Sequence, residues 1–191
     1  MQANMLRHIP NLLTIMRLIS IIPILLLLHD QQYFAAFLIF FIAGITDGLD
    51  GWLARRYQWQ SMLGSILDPL ADKLIVVCSF IALALIGSLP WWLVILVFAR
   101  DLTICFGVIC WFLFINKKLD FKPSLISKFN TTMQISLVTL CLFELAFFML
   151  PYALIFIWII VTSLTTTISY IDYVWTWSAK ANLALKQRRY E

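Results

Sequence analysis

The chain has 191 residues, of which 62% are hydrophobic and 13% charged, and its formal net charge is +4. A water-soluble domain carries roughly 45–50% apolar and about 25% charged residues, so this composition excludes an ordinary globular enzyme. It points to an all-α integral membrane protein, and no nucleic-acid partner is expected.

The first apolar run, 12–28, contains Arg17 and ends in "HDQQ" rather than a small-residue cleavage site. It is expected to remain as a span and not to be removed as a signal peptide. Five further runs follow at 34–53, 67–86, 91–115, 129–149 and 152–175, each near the ~20 residues a helix needs to cross the hydrocarbon core. The breaks at "HDQQY", "GSLP" and "LP" contain no Lys or Arg. The other flanks hold Arg7, then Arg55 and Arg56, then Lys117, Lys118, Lys122 and Lys128, then Lys180, Lys186, Arg188 and Arg189. All of these fall on one side of a six-span arrangement, and the positive-inside bias assigns that side, with both termini, to the cytoplasm. The expectation is six transmembrane helices in one bundle, a single domain over 1–191.

Trp91, Trp92, Trp175 and Trp177 fall near span ends, where an interfacial belt is the ordinary reading. The basic "SAKANLALKQRRY" reads as a headgroup-facing tail. Cys78, Cys105, Cys110 and Cys141 lie in apolar runs without CxxC spacing, so they read as structural thiols, neither disulfides nor metal ligands.

One stretch departs from the oily background. Asp47 and Asp50 are three apart at the end of the second span, and Asp68 and Asp72 are four apart at the start of the third. Both spacings place the paired carboxylates on one helical face. A short connection makes the two spans antiparallel neighbours, so the four can converge. Gly51 and Gly64 permit close approach. Converging carboxylates at a membrane boundary repel one another and resist desolvation, so something must offset them. Arg55, Arg56 and Lys73 are candidates, as are protonation and divalent cations, which take hard oxygen ligands. Helix capping offers a bland account of Asp68, which precedes Pro69. A divalent-cation transporter would need a polar path onward, and beyond Asp72 the third span offers only Cys78 and Ser79.

The pattern "DGLDGWLAR", eight residues, "GSILDPLAD" resembles the signature of the CDP-alcohol phosphatidyltransferase family at Asp47, Asp50, Gly51, Ala54, Arg55, Gly64, Asp68 and Asp72. The resemblance implies metal-dependent phosphatidyl transfer from CDP-diacylglycerol to an alcohol, with release of CMP. It implies two Mg²⁺ or Mn²⁺ ions on Asp47, Asp50, Asp68 and Asp72, with Asp72 also the base. It further implies CDP-lipid contacts at Asp47, Gly51, Ala54, Arg55, Ser61 and Gly64. The "PNLLT" stretch adds Asn11 and Thr14, for which helix capping is an equal alternative. The resemblance also implies a homodimer in a bacterial or mitochondrial inner membrane, and the positive-inside bias puts the site on the side of the basic loops.

The acceptor is read from differences. Phosphatidylglycerophosphate synthases carry a second arginine eight residues after the first in the fourth span, and a second lysine in a "GKxKT" box. Here those positions are Val108 and Asn130. Glycerol 3-phosphate brings a dianion that such cations would hold. Their loss, with the "ARD" and "ISKFNT" patterns, is similar to the CDP-alcohol type of cardiolipin synthase, whose acceptor is phosphatidylglycerol. Arg100 and Lys128 are left to hold its phosphodiester. Arg100 alternatively pairs with Asp101 or Glu144, and Lys128 is alternatively a positive-inside residue. The alternative acceptor is glycerol 3-phosphate.

Overall fold

The computed structural model describes the backbone of residues 9–57, 62–114 and 125–188, and the side chains of 12–49, 68, 70–107 and 125–176. All regular structure in them is helical: α1 (Ile9–His29), α2 (Tyr33–Tyr57), α3 (Met62–Ile86), α4 (Trp91–Phe114), α5 (Leu125–Ala146) and α6 (Tyr152–Arg188). Among the described residues three stretches are long and apolar enough to cross a membrane: Leu12–His29, Leu125–Ala146 and Tyr152–Thr176. Tyr33–Leu49 is a shorter apolar helix.

Helix bounds differ from the apolar runs for physical reasons. α3 begins before its apolar run, because the segment carrying Gly64 and Asp68 is already helical. Asp68 therefore lies well inside a helix, and capping does not explain it. α5 starts before its run and stops at Ala146, and Pro151 keeps Leu150 from continuing it. α6 passes Trp175 to Arg188, because "SAKANLALKQ" is rich in strong helix formers and lacks Gly and Pro.

The chain forms two compact units. The first comprises Met1–Leu89 and Val138–Tyr152. In it α1 packs against both α2 and α3. The α1–α2 turn closes with Gln32 N–H donating to Leu27 O at 2.8 Å and Gln31 N–H to Leu28 O at 3.3 Å. Gln31 takes φ 60°, a left-handed conformation usually given to glycine. The turn after α3 repeats this pattern with Gly87 at φ 88°, and Ser88 N–H donates to Leu83 O at 2.9 Å. Phe34 and Phe37 of α2 meet Phe147 edge-on, each at 5.4 Å between centroids, and Phe143 at the end of α5 stands 4.8 Å from Phe147.

The second unit comprises Pro90–Leu137 and Ala153–Glu191. Its helices are joined by side-chain hydrogen bonds. Trp158 Nε1 donates to Ser136 Oγ at 2.8 Å, and the Tyr173 hydroxyl donates to Ile104 O at 2.9 Å. Asn130 Oδ1 accepts from Thr165 and Thr166, at 3.0 and 2.8 Å.

In both units polar side chains are buried beside an apolar core, and large apolar side chains are exposed. Thr14, Arg17, Ser79, Arg100, Asp101, Asn130, Gln134, Thr162, Thr166 and Ser169 are buried, while Leu12, Ile19, Ile22 and Leu26 on α1 are exposed. A helix surface of this kind suits a lipid environment, where polar side chains turn inward to find partners.

Candidate functional site

The site is built on one turn of α1. Thr14 and Arg17 are three residues apart and so share a face, and both are buried. Arg17 Nη2 lies 2.6 Å from Asp47 Oδ1 on α2, and Nη1 lies 2.6 Å from Asp72 Oδ1 on α3. Thr14 donates its hydroxyl proton to Asp68 Oδ1. Two side chains of α1 thereby gather three of the four motif carboxylates from two other helices. Asp68 and Asp72 share a face because α3 is helical through both.

The electrostatics are uneven. The Arg17 side chain is 2% exposed, whereas those of Asp47 and Asp72 are 41% and 39% exposed. The guanidinium thus lies beneath carboxylates that remain open on their outer side. A buried guanidinium is tolerated when charge-assisted hydrogen bonds to carboxylates satisfy it.

Asp50, Gly51, Ala54 and Arg55 continue α2, and Gly64 lies in α3, but their side-chain surroundings fall outside the described residues. So do Ser61 and the side chain of Asn11. Thr14 is well inside α1, so capping does not account for it. Among the described residues Arg17 pairs with Asp47 and Asp72, a cation absent from the expected set of Arg55, Arg56 and Lys73; the side chains of Arg55 and Arg56 lie outside the described residues. Its signal was present in the sequence: a lone charge inside an apolar run, three residues after Thr14.

Beside the site, α1 and α2 form a groove of about 180 Å³ lined by Leu13, Met16, Ile39, Ile42 and Ala43, with Arg17 and Thr46 at its polar side. Thr46 immediately precedes Asp47.

In the second unit, Arg100 is 1% exposed. Its Nη1 donates to Asp101 Oδ1 at 2.6 Å, and Nη2 donates to Ser127 and Ser169 at 2.6 and 2.8 Å. The pairing with Asp101, the alternative role for this arginine, is therefore present. Lys128 is exposed. Asn130 is buried against the Thr165–Thr166 pair, and the side chain of Val108 lies outside the described residues.

A buried cation-and-hydroxyl pair that collects carboxylates from neighbouring apolar helices defines a cluster of hard oxygen donors. Residues 7–170 match the CDP-alcohol phosphatidyltransferase family model, and the chain belongs to that family. The family is generally divalent-cation dependent.

Among its relatives is the cardiolipin synthase (CMP-forming) / mitochondrial hydrolase fusion protein of Schizosaccharomyces pombe. It is 36% identical over 151 residues, covering 71% of this chain and 25% of that protein. A probable phosphatidylglycerophosphate synthase of Mycobacterium tuberculosis is 38% identical over 101 residues, covering 50% of this chain and 48% of its own. Cardiolipin synthase (CMP-forming) of Rattus norvegicus is 35% identical over 146 residues, covering 68% and 48%. The chain spans about half or less of the length of the curated relatives it matches.

Proposed function

We propose that this protein transfers a phosphatidyl group from CDP-diacylglycerol to phosphatidylglycerol, forming cardiolipin and releasing CMP. The observation that carries the reading is the assembly of Asp47, Asp68 and Asp72 around Thr14 and Arg17 in a member of this family. The reading places six spans in one catalytic membrane domain over 1–191, which works as a homodimer. Both termini and the aspartates lie on the side of the basic flanks, in a bacterial or mitochondrial inner membrane.

The donor set fits Mg²⁺ or Mn²⁺. Carboxylate oxygens are hard ligands that suit these ions, and the side chains of Asp47 and Asp72 are 41% and 39% exposed. Asp47, Asp50, Asp68 and Asp72 would hold two such ions. Bound there, the ions would neutralise the pyrophosphate oxygens of the donor.

The remaining work falls to the chain's own residues. Thr14 fixes one oxygen of Asp68 and so orients that carboxylate. Asp72 accepts the proton of the attacking hydroxyl as its oxygen bonds to the β-phosphorus. The bond from that phosphorus to the CMP oxygen breaks, and CMP leaves as the anion. Arg55 would offer planar donors to a phosphate, and Asn11, Gly51, Ala54, Ser61 and Gly64 would contact the CDP moiety. The apolar groove between α1 and α2 has Arg17 in its lining and suits an acyl chain of the donor.

For the acceptor, Lys128 would hold the phosphodiester, and its side chain is exposed. Arg100 would reach one only by exchanging a bond to Asp101, Ser127 or Ser169. The alternative acceptor, glycerol 3-phosphate, has support from the Mycobacterium tuberculosis relative. A transport role is disfavoured, since the Ser79 hydroxyl on the apolar side of α3 is spent on Ile75 O at 2.7 Å.

Incubating the purified protein with labelled CDP-diacylglycerol and each alcohol separately tests the reading. Cardiolipin from phosphatidylglycerol is expected. Turnover with glycerol 3-phosphate alone would reassign the acceptor.

A further inference from the structure

Arg17 occupies the oxygens that the proposed function gives to divalent ions. Its two terminal nitrogens take Oδ1 of Asp47 and Oδ1 of Asp72, each at 2.6 Å. Two oxygens on one Mg²⁺, each at about 2.0–2.1 Å, stand no more than roughly 4 Å apart. Here the two oxygens are instead tied to the guanidinium, one to each terminal nitrogen. Among the described residues, no group of three or more His, Cys, Asp or Glu side chains is drawn together closely enough to hold a metal. An ion entering here would also stand a few ångströms from a buried like charge.

We propose that Arg17 is an internal counter-cation that couples metal binding to binding of the pyrophosphate-bearing lipid. Without the donor lipid, Arg17 holds Asp47 and Asp72 and opposes occupation of the site by divalent ions. A pyrophosphate brings negative charge of its own. Arg17 then gains an anionic partner in place of the carboxylates, and Asp47 and Asp72 turn to the metal. The exchange conserves hydrogen bonds for a guanidinium that is 2% exposed and could not be left bare. Ion and lipid therefore bind cooperatively, each raising the affinity for the other by the same factor. This inference rests on the metal-binding reading above.

The test is Mn²⁺ binding to the full protein in detergent, measured by the electron paramagnetic resonance of free Mn²⁺, with and without CDP-diacylglycerol. Wild type is expected to bind Mn²⁺ weakly alone and at least about tenfold more tightly with the lipid. Arg17→Gln is expected to bind Mn²⁺ alone several-fold more tightly than wild type, with the lipid-induced gain largely lost. Arg17→Lys keeps a charge but not the planar fork. It guards against a folding defect in the glutamine variant and is expected to fall between the two. A wild type that binds Mn²⁺, beside variants that bind it no more tightly, overturns the inference while leaving the metal site intact. A wild type that binds no Mn²⁺ even with the lipid overturns both readings.

Discussion

Arg17 and Asp72 are 55 positions apart in the chain, yet Arg17 Nη1 lies 2.6 Å from Asp72 Oδ1. With the second arm of Arg17 on Asp47, this contact makes α1 the hub on which the carboxylates of α2 and α3 are assembled.

Asp72 is assigned two tasks, and Asp72→Asn separates them from lipid binding. Asparagine retains the shape and can still accept a hydrogen bond from Arg17, but it cannot take a proton from the acceptor. General-base catalysis contributes about 10²–10⁴-fold, so turnover should fall at least about a hundredfold. Binding of CDP-diacylglycerol by the detergent-solubilised protein should change much less. Retained turnover would remove Asp72 as the base.

Arg100 and Asp101 form a buried pair, and the two proposed roles of Arg100 predict different outcomes. Arg100→Leu takes the guanidinium away from the buried Asp101 carboxylate, at a cost of up to about 3–5 kcal/mol. The double variant Arg100→Leu/Asp101→Leu removes both charges and should recover most of the thermal stability. If Arg100 also holds the acceptor phosphodiester, the folded double variant will show a raised KM for phosphatidylglycerol. Unchanged kinetics in a folded double variant would confine Arg100 to a structural role.

Acceptor choice is argued from missing cations at Val108 and Asn130. Installing both, as Val108→Arg/Asn130→Lys, should raise the use of glycerol 3-phosphate relative to phosphatidylglycerol about tenfold or more. Product ratios from the two acceptors in competition measure this. Asn130 is buried against Thr165 and Thr166, so Asn130→Lys alone should lower the melting temperature. No change in product ratio in a folded double variant would contradict the charge argument.

The two turns of the first unit give a paired stability test. Gln31 has left-handed backbone without being glycine, and an L-residue there costs about 1–2 kcal/mol. Gln31→Gly should therefore stabilise the protein, by up to about 1 kcal/mol once glycine's greater unfolded-state entropy is subtracted. Gly87→Ala, at φ 88°, should destabilise it by about 1 kcal/mol or more. Thermal unfolding in detergent compares both with wild type.

Much of this architecture is legible in the sequence, because apolar length and helical spacing act locally. The runs at 12–28, 34–53, 67–86 and 91–115 each lie within a helix or end within one residue of it. The three- and four-residue aspartate spacings announce shared faces before any packing is known. The role of Arg17 was not legible. A charge inside a span signals that a partner exists, but only the packing of α1 against α2 and α3 reveals which one. The hydroxyls around Arg100 were hidden for the same reason. Ser127 and Ser169 are unremarkable in sequence and become meaningful only when α5 and α6 bring them to the guanidinium. The helical course of the basic tail to Arg188 follows from its helix propensity, which its charge does not report.

The most direct test of the central claim is CMP release by the purified protein from CDP-diacylglycerol and phosphatidylglycerol, with and without a divalent-ion chelator. CMP and cardiolipin should form in equal amounts, stop on chelation and resume when Mg²⁺ or Mn²⁺ is restored. Single Asp→Asn changes at positions 47, 50, 68 and 72 should each suppress the reaction. CMP release that persists under chelation, or survives those changes, would contradict the account.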